Sequence, residues 1–585
     1  MAATRQRGGS FLFEPLPSNE VMTPEDLGPE HREIARTARD FATKEIRPKR
    51  QALEEHDWAA SRELLRLAGA LGLLGVEVPE AYGGLGLDRV TASVVAQELA
   101  RGGASFAITF SVASGIGLLP LVYFGTPEQK RHYLPRLVSG EWVAAYALTE
   151  AGSGSDSLAA RTVARRDPDG QHFRLSGAKQ WITNGGFADL YTLYAKINGE
   201  QFTSFLVERG FPGVSTGPDE KKMGYTGSST TTVLLDDVPV PAENLLHDPG
   251  KGYQVAFNTL NIGRFKLGPA CLGAGVNLIG VAARYAQERQ QFGRPIASFR
   301  LIQQKLADMA IRLYALGAAT YRLAALMDGA EAGLDLAGDA GDAAVAALGE
   351  YAIECSILKV LATEALDFIV DEAVQIHGGY GYMREFEVES AYRDSRVNRI
   401  FEGTNEINRL LIPGTLFRRA ARGQAPVEEA VQRASADLAR LAGTPAEGRD
   451  PAEVARALFW AVTGLALQKY GQGIDEEQET LALLADIAID TFATESALAR
   501  AAKAEAGGER ADLHRDLAGA YADDAYARIL GHAREAFGYL AGDDERRAAL
   551  GALAKLTPAT PANRVERGRR IAAQVLDAGG WPLGV

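Results

Sequence analysis

The sequence predicts an α+β chain with helical units on both sides of a small β unit, and three observations carry that prediction. Apolar residues recur at three- and four-residue intervals from about Glu30 to Tyr123, and again through Ile353, Ile357, Val360, Leu361, Ala365 and Phe368, the repeat of helices that bury one face. Between about Tyr146 and Asp248 the pattern changes to short apolar or threonine-rich runs, such as Phe202 to Val207 and Thr230 to Leu235, divided by clusters of Gly, Pro, Asn and Asp. Such runs favour strands and turns. The chain has 585 residues, 46% of them hydrophobic, which suffices for roughly three or four packed units rather than one.

Taken in order, residues 1–29 form an extension and residues 30–145 a helical domain. In it Ile34, Ala38, Phe41 and Ile46 lead into Leu64, Leu67, Leu71 and Leu74, the latter set spaced for one buried face. Residues 146–250 make the β unit and residues 251–420 a second bundle. Within that bundle the Gly-, Ala- and Asp-rich stretch from Gly329 to Gly349 is expected to be an exposed loop between two helices. The chain turns polar near Gly423 to Pro426, and residues 421–585, rich in Ala, Arg and Glu, read as an additional helical domain with late breaks at Pro558, Pro561 and Gly579-Gly580. Its most apolar segment, Ala457 to Leu467 with Phe459 and Trp460, is too short to span a bilayer and reads as a core helix. Chemistry is expected where the helical and β layers meet.

Composition excludes several functions. A formal net charge of -13 and a pI of about 5.3 argue against a nucleic-acid partner, which calls for cations against phosphates. Cys271 and Cys355 each sit among small and apolar residues with no Cys or His at ligand spacing, so neither a disulfide framework nor a metal site is expected and both read as core thiols. Arg5 and Arg7 precede no apolar leader, and no run approaches the ~20 apolar residues of a membrane span. A cytoplasmic chain with at most peripheral membrane contact is expected.

Three short stretches hold the chemistry. In Arg399-Ile-Phe-Glu-Gly-Thr-Asn-Glu-Ile407, Glu402 stands between Phe401 and Gly403. A charge beside an aromatic ring loses hydration, so Glu402 is either a buried structural group paired with Arg399 or Arg396, or a base whose pKa is meant to move. The β unit opens with Tyr146-Ala-Leu-Thr-Glu-Ala-Gly-Ser-Gly-Ser155 and continues to Lys179-Gln-Trp-Ile-Thr-Asn-Gly-Gly186. Glycines admit a ligand to the backbone, hydroxyls and amides bind a heteroaromatic edge or a phosphate, and Trp181 offers a flat face. Either segment alone is equally a glycine-rich turn.

Five segments together resemble the acyl-CoA dehydrogenases, a family of flavoenzymes: Thr149-Glu-Ala-Gly-Ser-Gly-Ser-Asp156, Trp181-Ile-Thr-Asn-Gly-Gly186, Glu288-Arg-Gln-Gln-Phe-Gly293, Gln375-Ile-His-Gly-Gly379 and Phe401-Glu-Gly-Thr-Asn405, in the family's order and approximate spacing. The resemblance covers about Glu30 to Phe417, and the long tail looks most like the very-long-chain branch. It implies a middle β-barrel, a C-terminal four-helix bundle, and an FAD held between them. Tyr146, Leu148 and Thr149 match positions lining the flavin, as does Ile182, while Trp181 and Thr183 match the pair flanking its ring. Ser155 matches a position shared by cofactor and acyl-CoA. Arg289 and Phe292 match contacts to the pyrophosphate and adenine end, and Gln375, Gly378 and Gly379 a loop that reaches the cofactor of a neighbouring subunit, which implies a homodimer. Gly403, Thr404 and Asn405 match polar contacts toward the cofactor. Ala151, where the family commonly has proline, and Arg300, where it has glutamine, depart from the pattern.

Glu402 falls on the family's catalytic base, with Phe401 and Arg264 beside the substrate; the alternative base position of some branches is Gly263 here, which cannot take a proton. The reaction implied is α,β-dehydrogenation of a saturated fatty acyl-CoA in β-oxidation, with electron-transfer flavoprotein as the acceptor. Gly115 and Gly117 resemble the far wall of the acyl pocket in long-chain members, though Pro120 departs from the glycine expected there, so medium-long to long chains are expected. The extension is expected on the first bundle's side of the molecule. An acyl-CoA oxidase on the same scaffold, and a non-enzymatic member whose extension binds nucleic acid, are the alternatives; the extension's excess of acids disfavours the second.

Overall fold

The computed structural model describes residues 7–15, 17–445, 449–508, 510–557 and 563–584, so Arg5, Pro558 and Pro561 lie outside the described residues. The first domain holds α1 (Pro29–Phe41), α2 (Arg50–Glu54), α3 (Trp58–Ala70), α4 (Arg89–Ala100), α5 (Ala104–Ser111), α6 (Leu119–Phe124) and α7 (Pro127–Val138). Side-chain caps start several of them: Asp57 accepts the Ala60 N–H, Asp88 the Thr91 N–H, and Thr126 forms a capping box with Gln129. Leu64 and Leu74 are buried as expected, but Leu67 and Leu71 are exposed. Helix α3 ends at Ala70 and buries Leu64, Leu65 and Ala68 instead, so the leucines never shared one helical face.

The middle unit is a mixed sheet of eight strands: β1 (Ala144–Ala147), β2 (Val163–Arg166), β3 (His172–Thr183), β4 (Leu190–Ile197), β5 (Gln201–Glu208), β6 (Val214–Thr216), β7 (Thr230–Pro241) and β8 (Leu245–Leu246). The order is β6-β7-β3-β2-β4-β5-β8, with β1 on β4 in parallel. Alternating inward residues, among them Ala164, Leu193, Phe205, Val207, Val233 and Val238, give it its own core.

The second bundle contains α8 (Gly252–Glu288), α9 (Arg300–Glu331), α10 (Gly341–Glu350), α11 (Ala352–His377), α12 (Glu387–Ser395) and α13 (Asn405–Ala421). The stretch expected as an exposed loop is a loop only over 332–340; its start is the end of α9 and its remainder is α10, which buries Ala344 and Leu348. The loop is pinned by Lys130 Nζ, which donates to the carbonyls of Leu336 at 3.0 Å and Gly338 at 2.6 Å. Two helical segments, Ala104–Phe124 and Gly252–Glu288, are long and apolar enough to cross a membrane, contrary to the sequence reading, but their apolar windows are 83% and 72% buried in the protein. They are core helices. Cys271 and Cys355 are buried and unpaired.

The additional domain comprises α14 (Val427–Gly443), α15 (Pro451–Tyr470), α16 (Gln478–Gly507), α17 (Ala511–Leu540), α18 (Asp543–Leu556) and α19 (Arg564–Asp577). It packs mainly on the second bundle, through α16 and α19 on α9 and α16 on α13, rather than on the helices of the first domain, which it meets through the segment after α19 beside Arg39, Gln97 and Arg101. Glu495 on α16 sits between Arg322 of α9 at 2.7 Å and Arg456 of α15 at 3.0 Å, a buried ion triad across that interface. The Ala457–Leu467 segment lies within α15 as a core helix. Residues 7–15 and 17–27 form a strap across this domain: Phe11 meets Phe492 edge-on at 5.1 Å, Trp460 Nε1 donates to the Leu12 carbonyl at 2.6 Å, and Glu25 pairs with Arg500 at 2.6 Å.

Candidate active site

A cavity of about 1510 Å³ opens where the first domain, the β unit and the second bundle meet. The sequence-predicted residues Tyr146, Leu148, Thr149, Ser155, Trp181, Ile182, Thr183, Arg264, Phe401, Glu402, Gly403 and Thr404 all line it. The β unit supplies one wall through a bulge: the pairing of β3 with β7 shifts between Lys179 and Ile182, and Trp181 adopts a φ of 59°. An extra residue at a bulge turns its side chain out of the sheet's alternation, which leaves Trp181 59% exposed and facing the cavity. Neither Gly152 nor Gly154 would bring a β-carbon within 4 Å of any atom, so the 149–156 loop presents bare backbone to open space.

The opposite wall is the turn between α12 and α13. Glu402 has a φ of 57°, a left-handed conformation that costs on the order of 1 kcal/mol or more for a residue with a side chain and persists only where its surroundings enforce it. They do: Arg264 Nε donates to the Glu402 carbonyl at 3.1 Å, and Asn408 Nδ2 to the carbonyls of Gly403 at 2.8 Å and Thr404 at 2.9 Å. Burial pushes the Glu402 carboxyl up to about 7, against the pull of Arg264 and Lys359, and its Oε2 is buried without a hydrogen-bond partner. The structural pairing with Arg399 or Arg396 is not formed, since Arg399 pairs with Asp367 at 3.4 Å. Gly263 on α8 makes room for Glu402: a β-carbon there would lie 2.6 Å from Glu402 Cδ.

Several predicted residues lie elsewhere. Asn405 faces away from the cavity, accepting from Lys359 Nζ at 2.6 Å and donating to Thr363 and Glu364. Gly117 does not line the cavity; its missing side chain points at the Val112 carbonyl and Ala144, 2.8 and 2.9 Å from an ideal β-carbon. The stripe that does face the cavity is Ile108, Val112 and Ile116, spaced by four. Arg289, Phe292, Gln375, Gly378 and Gly379 do not line this cavity either. They stand on a separate exposed surface where Arg289 lies over Tyr380, 5.3 Å from its ring centroid, and Phe292 is 93% exposed.

Sequence reasoning missed what holds the 149–156 loop. Lys179 is fully buried, and its Nζ donates to Glu150 Oε1 at 2.7 Å and the Leu148 carbonyl at 3.2 Å. Burial lowers the Lys179 ammonium to about 8 although Glu150 opposes it. Glu150 also accepts from the N–H groups of Arg161 and Thr162. The signal was a carboxylate and a lysine inside the two segments already singled out.

The site can take a large planar heteroaromatic group beside a second, apolar ligand. Hydroxyls at Thr149, Ser155, Thr183, Ser228 and Thr230, the flat face of Trp181 and the bare loop line one part, and Ile108, Val112 and Ile116 another. An unpaired carboxylate poised near neutrality stands among them.

Comparison with known proteins shows what the chain is similar to. Residues 28–141, 145–238 and 250–417 match the family models described as acyl-CoA dehydrogenase N-terminal, middle and C-terminal domains, and residues 454–555 a further model described as acyl-CoA dehydrogenase, C-terminal domain. A probable acyl-CoA dehydrogenase of Bacillus subtilis is 47% identical over 99% of this chain and 98% of its own. The human mitochondrial very long-chain specific acyl-CoA dehydrogenase is 36% identical over 82% of this chain and 75% of its own. The crystal structure of an acyl-CoA dehydrogenase complexed with FAD from Bacillus anthracis superposes with a TM-score of 0.96 at 46% identity, covering 99% of this chain and all of that one.

Proposed function

This chain belongs to the acyl-CoA dehydrogenase family as an FAD-dependent enzyme, and we propose that it oxidises medium-long to long saturated fatty acyl-CoA thioesters to trans-2-enoyl-CoA in β-oxidation, with Glu402 as the base. The observation that carries the reading is the Glu402 carboxylate: unpaired at Oε2, raised to about 7 and set in the cavity with Trp181 and Thr183.

The α-proton of a thioester is weakly acidic, so removing it needs a carboxylate aligned with the C–H bond in a site that excludes water. Arg264 and Asn408 fix the backbone that carries Glu402, and the acyl chain, lying along Ile108, Val112 and Ile116, displaces the water that would weaken the base. No backbone partner engages the Glu402 N–H among the described residues, which leaves it to donate to the thioester oxygen as enolate charge develops. Tyr146, Leu148, Thr149, Trp181, Ile182 and Thr183 hold FAD, with Ser155 shared between cofactor and substrate. FAD held by these residues would supply the acceptor for the hydride that leaves the β-carbon. Arg289, Phe292, Gln375, Gly378 and Gly379, remote from this cavity, serve the FAD of a second copy, so the working form is a homodimer. Electron-transfer flavoprotein is the acceptor that reoxidises it.

Anaerobic titration with saturated acyl-CoAs tests this. Bleaching of the flavin, slow reoxidation in air and fast transfer to electron-transfer flavoprotein are expected. A maximum of kcat/KM at butyryl-CoA would overturn the chain-length reading, and rapid reoxidation in air would favour an oxidase.

A further inference from the structure

We propose that Arg418 and Arg422, together with Arg7 of the N-terminal strap, bind the phosphate groups of the coenzyme A moiety. The inference rests on the acyl-CoA reading above and adds the residues that anchor the substrate's other end.

Arg418 lies in the last turn of α13 and Arg422 is the residue that caps its C-terminus, and both line the cavity that holds Glu402. An adjoining pocket of about 370 Å³ shares Val345, Gly349, Thr415 and the two arginines with that cavity and adds Arg7 and Arg419. Glu350 is the one acid on its described wall; it accepts the Gly8 N–H at 2.8 Å and stands 3.7 Å from Arg419. Arg419 is itself spent on the carbonyls of Gly8, Gly349 and Glu350.

Arg418 and Arg422 are not spent. Arg418 donates to Thr415 Oγ1 at 2.8 Å, and among the described residues no carboxylate lies within 4 Å of Arg418, Arg422 or Arg7; Asp475 attracts Arg418 only from farther off. Like charges one turn apart disfavour a helix. A helix C-terminus does attract cations, but that effect does not explain why both open into the cavity or why a third arrives from the strap. Planar guanidinium groups suit phosphate oxygens. The cavity thus has an apolar stripe and a carboxylate inside and exposed cations at its mouth, the same polarity as an acyl chain joined through pantetheine to a phosphorylated nucleotide.

The test compares an acyl-CoA with the S-acyl-pantetheine of the same chain, which lacks the phosphates, on the FAD holoenzyme. The R418Q/R422Q variant is expected to raise KM for the acyl-CoA at least tenfold with kcat within twofold, to leave KM for the acyl-pantetheine unchanged, and to be rescued in large part by R418K/R422K. An R7Q variant is expected to raise KM for the acyl-CoA alone by twofold or more. Equal rises for both substrates, or none, would overturn the proposal. Salt gives a reading on the unmodified enzyme: KM for the acyl-CoA should climb steeply between low and high ionic strength while that for the acyl-pantetheine stays flat, and equal slopes would also overturn it. Binding of 3′,5′-ADP, weakened at least fivefold in R418Q/R422Q, needs no turnover, so a failure of the dehydrogenase reading shows separately. If inorganic phosphate at the same concentration competes as well as 3′,5′-ADP, the site is a general anion trap and the assignment fails.

Discussion

The carboxylate of Glu402 occupies the space that a side chain at Gly263 would fill, for a β-carbon there stands 2.6 Å from Glu402 Cδ. Helix α8 and the turn before α13 are therefore matched at one point, glycine on one side and carboxylate on the other. Gly263→Ala is expected to displace the carboxylate and cut kcat at least tenfold while the protein stays yellow, since neither residue is a cofactor anchor. Absorbance at the flavin maximum and steady-state turnover check both halves.

Glu402→Gln keeps the shape and removes the basicity. It is expected to retain FAD and to lose roughly two to four orders of magnitude in kcat, the range for a positioned general base. Glu406 is the control: it lies exposed in the first turn of α13 with its carboxyl held low by the helix start and Thr404, so Glu406→Gln should cost less than threefold.

The same carboxylate sets a pH dependence. It is raised from 4.5 to about 7 chiefly by burial, and only the ionised form accepts a proton, so kcat/KM should rise with pH to a plateau above about 7. Stability runs the other way. Folding raises this pKa, so the folded state takes up a proton between about 4.5 and 7, and charging Glu402 costs stability as pH rises through that window. Glu402→Gln should therefore melt higher than the parent at pH 8 and lose that advantage below about pH 4.5, as thermal scans at the two pH values can show.

Chain length should respond to Ile116 and Val112 rather than to Gly117. Ile116→Phe places bulk in the cavity lining and is expected to move the kcat/KM optimum toward shorter acyl-CoAs. Gly117→Leu would drive a β-carbon to 2.8 Å from the Val112 carbonyl and is expected to lower expression and melting temperature with no selective change in chain preference.

Lys179→Met should weaken FAD binding. It removes the cation that holds Glu150 and the Leu148 carbonyl and leaves Glu150 largely buried without its ion partner, a change that costs about 3 kcal/mol or more when a buried pair is broken. Because the loop it holds faces the cavity, dialysis should strip flavin from this variant several times faster than from the parent.

The helix, sheet and helix order was legible because periodicity reports burial, and the cavity wall because hydroxyl- and glycine-rich segments cluster in sequence. Glu402 was legible as an anomaly, a charge beside Phe401. What escaped were relations across distance. That Leu67 is exposed follows from which face α3 turns to the core, that Gly117 faces Ala144 follows from how the Val112–Ile116 segment meets β1, and that Lys179 serves Glu150 follows from a pairing 29 residues apart. The position of the additional domain was misjudged for the same reason: amphipathic helices declare that they have a partner, and only contacts such as Glu495 with Arg322 say which one.

The strap joins early and late parts of the chain in time as well as in space. Glu25 meets Arg500, 475 residues later, so at a synthesis rate of roughly 5–20 residues per second the strap leaves the ribosome about 25 to 95 seconds before its partner exists. Phe11 and Leu12, buried against Phe492 and Trp460 in the finished protein, spend that interval exposed. A segment made early is thus among the last to be seated, and its apolar side chains wait for the domain that covers them.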